Sequence, residues 1–187
     1  MRTLIVTAFV SADGVMDSPG GGEHRSAGWT FKDVEFDPAV YELKDQEQRE
    51  TGALLLGRRT YQEFAPVWPS MDEFATYNAM PKYVVSRTLE SVDPNWPATI
   101  LRSVDDVARL KEETEGGPIA VHGSAGLGAS LADAGLVDRY HLLVFPVLLG
   151  AGKRLFSEAD KDRTRLRLVE QEAYGNGVVK LIYDVVR

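Results

Sequence analysis

The chain has no cysteine among its 187 residues. That excludes a disulfide framework, a zinc ribbon, an iron–sulfur cluster and any thiol nucleophile. Positive charge is also short: 21 Lys and Arg stand against 28 Asp and Glu, a formal charge of -7. Such a balance repels polyphosphate and argues against a nucleic-acid partner. No apolar run approaches the roughly 18 residues that a membrane helix requires. The longest candidate, Leu142 to Ala151, is broken by Pro146, so no membrane partner is expected. The opening Met1 to Val10 is short and β-branched and runs into Asp13-Gly14. It reads as a first strand of a cytoplasmic protein rather than a leader.

What is present suits one globular domain spanning residues 1–187. With 44% hydrophobic and 26% charged residues, a chain of this length buries about 70% of its extended surface, enough for a core without covalent staples. Strand patterns fall at 2–10, 53–57, 82–86, 98–102, 118–122, 139–147 and 177–186. Helical patterns fall between them at 38–50, 59–65, 72–78, 104–113 and 125–133. Asp37-Pro38 and Ser103 supply helix starts. The rhythm is α/β, with a largely parallel sheet closed by antiparallel strands near the C-terminus. Residues 11–31, with Pro19-Gly20-Gly21-Gly22, read as a lid or binding loop, and 66–80 as a packed connection.

Three strand-to-turn junctions carry the chemistry. Ala53–Gly57 is an apolar strand that runs into Arg58-Arg59-Thr60-Tyr61. A helix starting there aims free amides and a positive dipole end at an anion, with Gly57 allowing close approach and Arg58, Arg59 and Thr60 adding charge and hydrogen bonds. Lys82–Val85 ends in Ser86-Arg87, a hydroxyl and guanidinium that suit a ribose 2′-phosphate. Ile119–His122 leads into Gly123-Ser124-Ala125-Gly126-Leu127-Gly128. Its glycines are spaced GxxGxG, not the GxGxxG of a Rossmann site. The turn is nonetheless nearly free of side chains and lets a pyrophosphate lie against backbone amides.

These junctions, with Ser11-Ala12-Asp13-Gly14 and the block Gly135-Leu136-Val137-Asp138-Arg139-Tyr140 running on to Pro146–Gly152 and Leu155-Phe156, resemble the dihydrofolate reductase-like fold. The resemblance is closest to the reductase domain of bacterial riboflavin biosynthesis. It covers nearly the whole chain and implies a three-layer α/β fold with a central mixed, mostly parallel sheet flanked by helices. It implies NADPH held by Gly57, Arg58, Arg59, Thr60, Ser86, Arg87, Gly123, Ser124, Ala125, Gly126 and Leu127, with hydride delivered to a C=N or C=O bond of a small substrate. Residues 11–28 would be the mobile loop over the cleft. Relatives of this kind are commonly homodimers, and the apolar strand 140–149 is the expected contributor to that contact.

Asp13, at the mouth of the expected cleft, and His122, beside Gly123, are the candidate catalytic residues. A turn role for Asp13 and a satisfied core role for His122 are the plain alternatives. A dihydrofolate reductase also needs a buried carboxylate on its first long helix, and the corresponding position falls on Val40 or Tyr41, neither an acid. Asp37 is the helix cap on this reading, and Glu42 and Asp45 face solvent. His24 and His141 lie far from His122 in sequence, with no ligand spacing, so no metal is expected. Two other readings stay open: the phosphoribosylaminouracil reductase step of riboflavin synthesis, and a nucleotide-binding module without catalysis.

Overall fold

The computed structural model describes residues 1–113, 115–156 and 163–187. Its frame is one eight-stranded sheet. The strands are β1 (Leu4–Ser11), β2 (Ala53–Gly57), β3 (Lys82–Val85), β4 (Thr99–Leu101), β5 (Ile119–His122), β6 (Arg139–Phe145), β7 (Arg165–Ala173) and β8 (Val179–Val186). Their order is β4-β3-β2-β5-β1-β6-β8-β7. The first six in that order run parallel, and β8 and β7 are antiparallel additions. The helices are α1 (Trp29–Lys32), α2 (Pro38–Glu50), α3 (Arg58–Phe64), α4 (Ala75–Ala79), α5 (Val104–Glu112) and α6 (Ala125–Asp133). Among the described residues no helix is long and apolar enough to cross a membrane.

The caps read from sequence are in place. The Asp37 carboxylate accepts from the Ala39 amide at 3.0 Å, with Pro38 in the first turn. Ser103 and Asp106 form a reciprocal capping box at α5. Two expectations change. The helix expected over 72–78 is instead a pair of 3-10 turns (Trp68–Ser70 and Asp72–Phe74) leading into the short α4. Stacked rings of Phe64, Trp68 and Phe74 organise this segment better than helical periodicity does. The strand β7 was not foreseen, because all nine of its residues are exposed and it carries no buried face to mark it.

Alternation along the strands sorts the core. Leu4, Val6, Ala8 and Val10 of β1 join Val121, Leu142, Val107 and Leu131 on the α5/α6 side. The opposite side, under α2, α3 and α4, holds two separate apolar clusters. One is built on Trp29, Leu43, Leu143 and Phe145. The other is built on Leu56, Tyr61, Trp68 and Trp96. A polar strip lies between them.

The turn into β2 is the tightest backbone crossing. A Cβ added at Gly52 would sit 1.5 Å from the Gly116 carbonyl oxygen and 2.5 Å from its carbon. Since backbone cannot step aside as a side chain can, Gly52→Ala is expected to cost about 3 kcal/mol or more. Urea denaturation checks this, and a wild-type midpoint would contradict it.

Candidate active site

The polar strip is a row across three neighbouring strands. Thr7 on β1 is in register with His122 on β5 and with His141 on β6. Residues in register on parallel neighbours share a face, so the three side chains stand side by side beneath α2. That helix turns Val40, Leu43, Lys44 and Glu47 inward, the i, i+3, i+4, i+7 stripe of an amphipathic helix. The last two of these are charged.

The resulting cluster is tightly bonded. Thr7 Oγ1 donates to Glu47 Oε1 at 2.7 Å, and His141 Nδ1 meets the same oxygen at 2.9 Å. Lys44 Nζ donates to Thr7 Oγ1 and, at 3.0 Å, to Glu47 Oε2. Burial pushes the Glu47 carboxyl up, but the Lys44 charge and the bonds from His141 and Thr7 outweigh it and hold the group at about 2. His122 moves the other way for an imidazole: burial first, then the Lys44 charge, lowers it to about 4 against the pull of Glu47. At neutral pH the strip therefore contains a Lys44–Glu47 ion pair and a neutral His122.

Three buried side-chain polar atoms in this region have no partner among the described residues: His122 Nδ1, His141 Nε2 and the Tyr77 hydroxyl. Tyr77 stands on α4, its ring 5.7 Å from His122, while Phe64 and Trp68 pack edge-on against the same imidazole. Burial, with Glu47 and Asp45 nearby, pushes the Tyr77 phenol up, so it is a neutral donor. Buried polar atoms are usually satisfied by the chain, by ordered water or by a ligand. A neutral imidazole, an imidazole oriented by a carboxylate and a phenol are thus the unpaired hydrogen-bonding groups of the strip.

Both pKa shifts work against acid stability. His122 binds its proton at about 4 when folded and at 6.5 when free. The unfolded chain therefore gains a proton first as pH falls, and stability is lost from pH 6.5 downward. Glu47 falls from 4.5 to about 2, so its contribution is lost in turn below pH 4.5. About 3 kcal/mol is expected to go between pH 7 and pH 4, chiefly through His122. Urea curves at the two pH values check it; a flat profile would contradict a neutral His122 in the folded protein.

Next to this strip lies the junction region. His122 is the last residue of β5, and Gly123 adopts φ +62, where a Cβ would press to 3.3 Å on Phe64 and Thr60. The β2 and β5 junctions are sewn together. Gly57 N donates to Ser124 Oγ at 2.9 Å, Ser124 Oγ donates to Thr60 Oγ1 at 2.9 Å, and Thr60 Oγ1 donates to the Gly123 carbonyl at 3.2 Å. Thr60 and Ser124 thus lock the two turns to each other.

The first intrahelical bond of α6 runs from Gly128 N to Ser124 O. The amides of Ala125, Gly126 and Leu127 are therefore left for a ligand, and a Cβ on Gly126 would meet nothing within 4 Å. A cleft of about 410 Å³ opens there, lined by Gly126, Gly152, Lys153 and Arg154 among others. Free amides at a helix start together with two cations suit a pyrophosphate.

At the β3 junction, Ser86 is buried and its hydroxyl accepts from the Thr88 and Leu89 amides at 3.2 and 2.9 Å, so it shapes the turn. Arg58, Arg59 and Arg87 are exposed. Arg102, not anticipated, reaches back to the Ser86 and Leu89 carbonyls at 3.1 and 2.8 Å.

Asp13 has the plainer of its two roles. It accepts from the Ser11 hydroxyl at 2.6 Å and from the Leu149 and Gly150 amides at 3.1 and 2.7 Å. These bonds lower it to about 2. Asp13 is a carboxylate that fastens the 149–150 turn, and it has no proton to give at neutral pH. The 11–31 segment is likewise pinned: Val15 pairs with Arg154, and the buried Trp29 donates through Nε1 to Asp17 O at 2.9 Å.

Spacing puts the helix-carboxylate position at Val40 or Tyr41, neither an acid; the buried carboxylate of α2 is Glu47, about two turns later. Val40 is fully buried among apolar neighbours. Glu42 and Asp45 are exposed.

Residues 2–180 match the model of the family described as the RibD C-terminal domain. The chain is 27% identical over 189 residues to the uncharacterized protein YyaP of Bacillus subtilis (strain 168), covering 97% of this chain and 94% of that one. A crystal structure from Shewanella sp. PV-4, named as a candidate riboflavin biosynthesis protein, superposes with a TM-score of 0.80 at 20% identity over 100% of both chains. Dihydrofolate reductase from Enterococcus faecalis, complexed with NADP(H) and RAB-propyl, superposes with a TM-score of 0.62 at 15% identity, over 99% of this chain and 97% of the other. The fold is that of the dihydrofolate reductase-like proteins, with a mixed, mostly parallel sheet flanked by helices, and the chain belongs to the RibD C-terminal domain family.

Proposed function

We propose that this protein is an NADPH-dependent reductase that transfers hydride to a C=N or C=O bond of a small polar heterocycle. One adjacency carries the reading: His122 ends β5 in the polar strip, and the next residue, Gly123, opens the junction with the free α6 amides. A dinucleotide would be held by the residues of that junction, and the hydride chemistry it would supply is what the neighbouring strip residues would serve.

Within this reading, the Gly126 amide, Lys153 and Arg154 hold the pyrophosphate, while Arg58 and Arg87 hold the 2′-phosphate and Arg102 fixes the turn beneath it. Gly57, Arg59, Thr60, Ser86, Ser124, Ala125 and Leu127 shape the surface between them. The bound dihydronicotinamide supplies the hydride. The chain supplies orientation and a proton. Glu47 fixes the His141 ring through Nδ1, which leaves Nε2 as the atom that exchanges a proton with the substrate. Lys44, bonded to Thr7 and Glu47, keeps that carboxylate ionised and in place. His122 Nδ1 and the Tyr77 hydroxyl orient the heterocycle, and Phe64, Trp68 and Tyr77 keep water from it.

The test is NADPH oxidation, followed by absorbance, against a panel of pteridines, pyrimidines and small carbonyl compounds. At least one class is expected to turn over, and His141→Ala is expected to reduce kcat about 100-fold while leaving NADPH binding intact. Turnover that survives His141→Ala would remove the proton role assigned to it.

A further inference from the structure

Beyond the polar strip the sheet has a gap. β5 stops at His122, in register with Thr7, while β1 runs on from Ala8 to Ser11 with only β6 paired to it. Two sets of rings flank that gap. On one side is Phe9, two residues past Thr7 and on the same face. Lys44 Nζ lies 5.1 Å from its ring centroid, Tyr41 packs edge-on against it at 6.0 Å, and Phe36 stacks on Tyr41 at 5.4 Å. On the other side Phe64, Trp68 and Phe74 stack in a column, and Trp68 and Tyr77 pack on His122.

The charge carried by these two walls is mostly of one sign. Residues 32–50 hold seven acids against Lys32, Lys44 and Arg49. Lys44 is cancelled by Glu47 at 3.0 Å, Lys32 turns back to the Ala27 carbonyl at 2.6 Å, and Arg49 lies in the last turn of α2, far from Tyr41. Residues 62–79 hold three acids and neither Lys nor Arg. Asp45 and Gln48, one turn apart on α2, share a face. That face meets the opposite wall: Gln48 Nε2 donates to the Glu73 carbonyl at 3.1 Å, and the charge of Asp45 reaches the Tyr77 phenol. The Tyr77 hydroxyl is an independent sign of a ligand here, since Tyr77 is 1% exposed and its oxygen has no partner among the described residues. The cations gather elsewhere, with Arg58 and Arg87 at the β2 and β3 junctions and Lys153 and Arg154 beside α6.

We infer that the strip takes a planar, basic heterocycle bound as its cation and bearing no phosphate or carboxylate, which is a substrate on the reductase reading above. Walls of one sign focus their field on whatever lies between them. Aromatic faces add attraction for a cation and none for an anion. A sugar phosphate would set its negative charges against the same walls, so a phosphoribosyl substrate is repelled rather than held. Charge is thus sorted along the molecule, basic where a dinucleotide would lie and acidic beside the strip.

Three two-ring probes of similar shape and different charge test this without cofactor: N-methylquinolinium, quinoline and quinoline sulfonate, titrated by calorimetry. The cation is expected to bind at least about tenfold more tightly than the sulfonate, with quinoline between them, and added salt should narrow the gap. Asp45→Lys with Glu73→Lys, both at exposed positions, is expected to erase or reverse that ranking while NADPH affinity stays within about threefold. The milder Asp45→Asn should give an intermediate ranking. No binding of any probe, a wild type that holds the sulfonate as tightly as the cation, or a ranking that both variants leave unchanged would overturn the inference. A wild type that ranks the probes as expected yet binds no NADPH would uphold the charge class and remove the reductase reading instead.

Discussion

Glu47→Gln is expected to destabilise the protein by about 3–5 kcal/mol, because it leaves the Lys44 ammonium buried without its counter-charge. In a chain of this size that is a fall in Tm of about 10 °C. The pair sits where water cannot compensate: Glu47 is 4% exposed and Lys44 9%. Removing both charges reverses most of the loss. In Lys44→Met with Glu47→Gln, the Gln carbonyl still accepts from Thr7 and His141, and no unpaired charge remains. A buried ion pair is often no more stabilising than a neutral replacement. The double variant is therefore expected within about 1.5 kcal/mol of the wild type, folded, NADPH-binding and without turnover. Urea denaturation of the three proteins settles the energetic half. A Glu47→Gln variant as stable as the wild type would mean the pair is hydrated in solution, and an active double variant would mean the strip takes no part in the chemistry.

The second large effect falls on the proposed cofactor site. Arg58→Ala with Arg87→Ala removes two exposed guanidiniums from the β2 and β3 junctions, and charge-assisted bonds to a phosphate are each worth about 1.5–3 kcal/mol before solvent screening. NADPH affinity is expected to fall about 100-fold and NADH affinity by less than about threefold. Arg102→Ala behaves differently. Its guanidinium holds the Ser86 and Leu89 carbonyls, so its loss loosens the turn and weakens both cofactors together. Fluorescence titration of each variant with each cofactor distinguishes the patterns. Equal losses for NADPH and NADH in the double arginine variant would place the 2′-phosphate elsewhere.

The three junctions were legible in the sequence because each is a local event, an apolar strand running into Gly, Ser or Arg. The helices α2, α5 and α6 were legible for the same reason, through Asp37-Pro38, Ser103 and their periodicity. The polar strip was not. Thr7, His122 and His141 are 115 or more residues apart, or 19 apart across a helix, and only strand order brings them into one row. A signal for it existed: Thr7 and His141 each interrupt an otherwise apolar strand, and Lys44 and Glu47 continue the inward stripe begun by Val40 and Leu43. Spacing back from Gly57, or aligning Pro38, points to 40–41, whereas the inward stripe leads on to Glu47. Asp13 looked catalytic from its place after β1, yet its partners, Leu149 and Gly150, lie at the far end of the chain. The strand β7 has no such signal, because all nine of its residues are exposed and none marks a buried face.

The central claim is that the junctions at Gly57, Ser86 and Gly123 form a dinucleotide site that reads the 2′-phosphate. Titration of the purified wild-type protein with NADPH and, separately, with NADH tests it most directly, using intrinsic fluorescence. Trp68 stacks at 4.1 Å on Phe64, the ring that crowds Gly123, and so sits within reach of the change. The account predicts saturable quenching with NADPH at micromolar concentration and at least tenfold weaker binding of NADH. No binding of either cofactor, or equal binding of both, would contradict it.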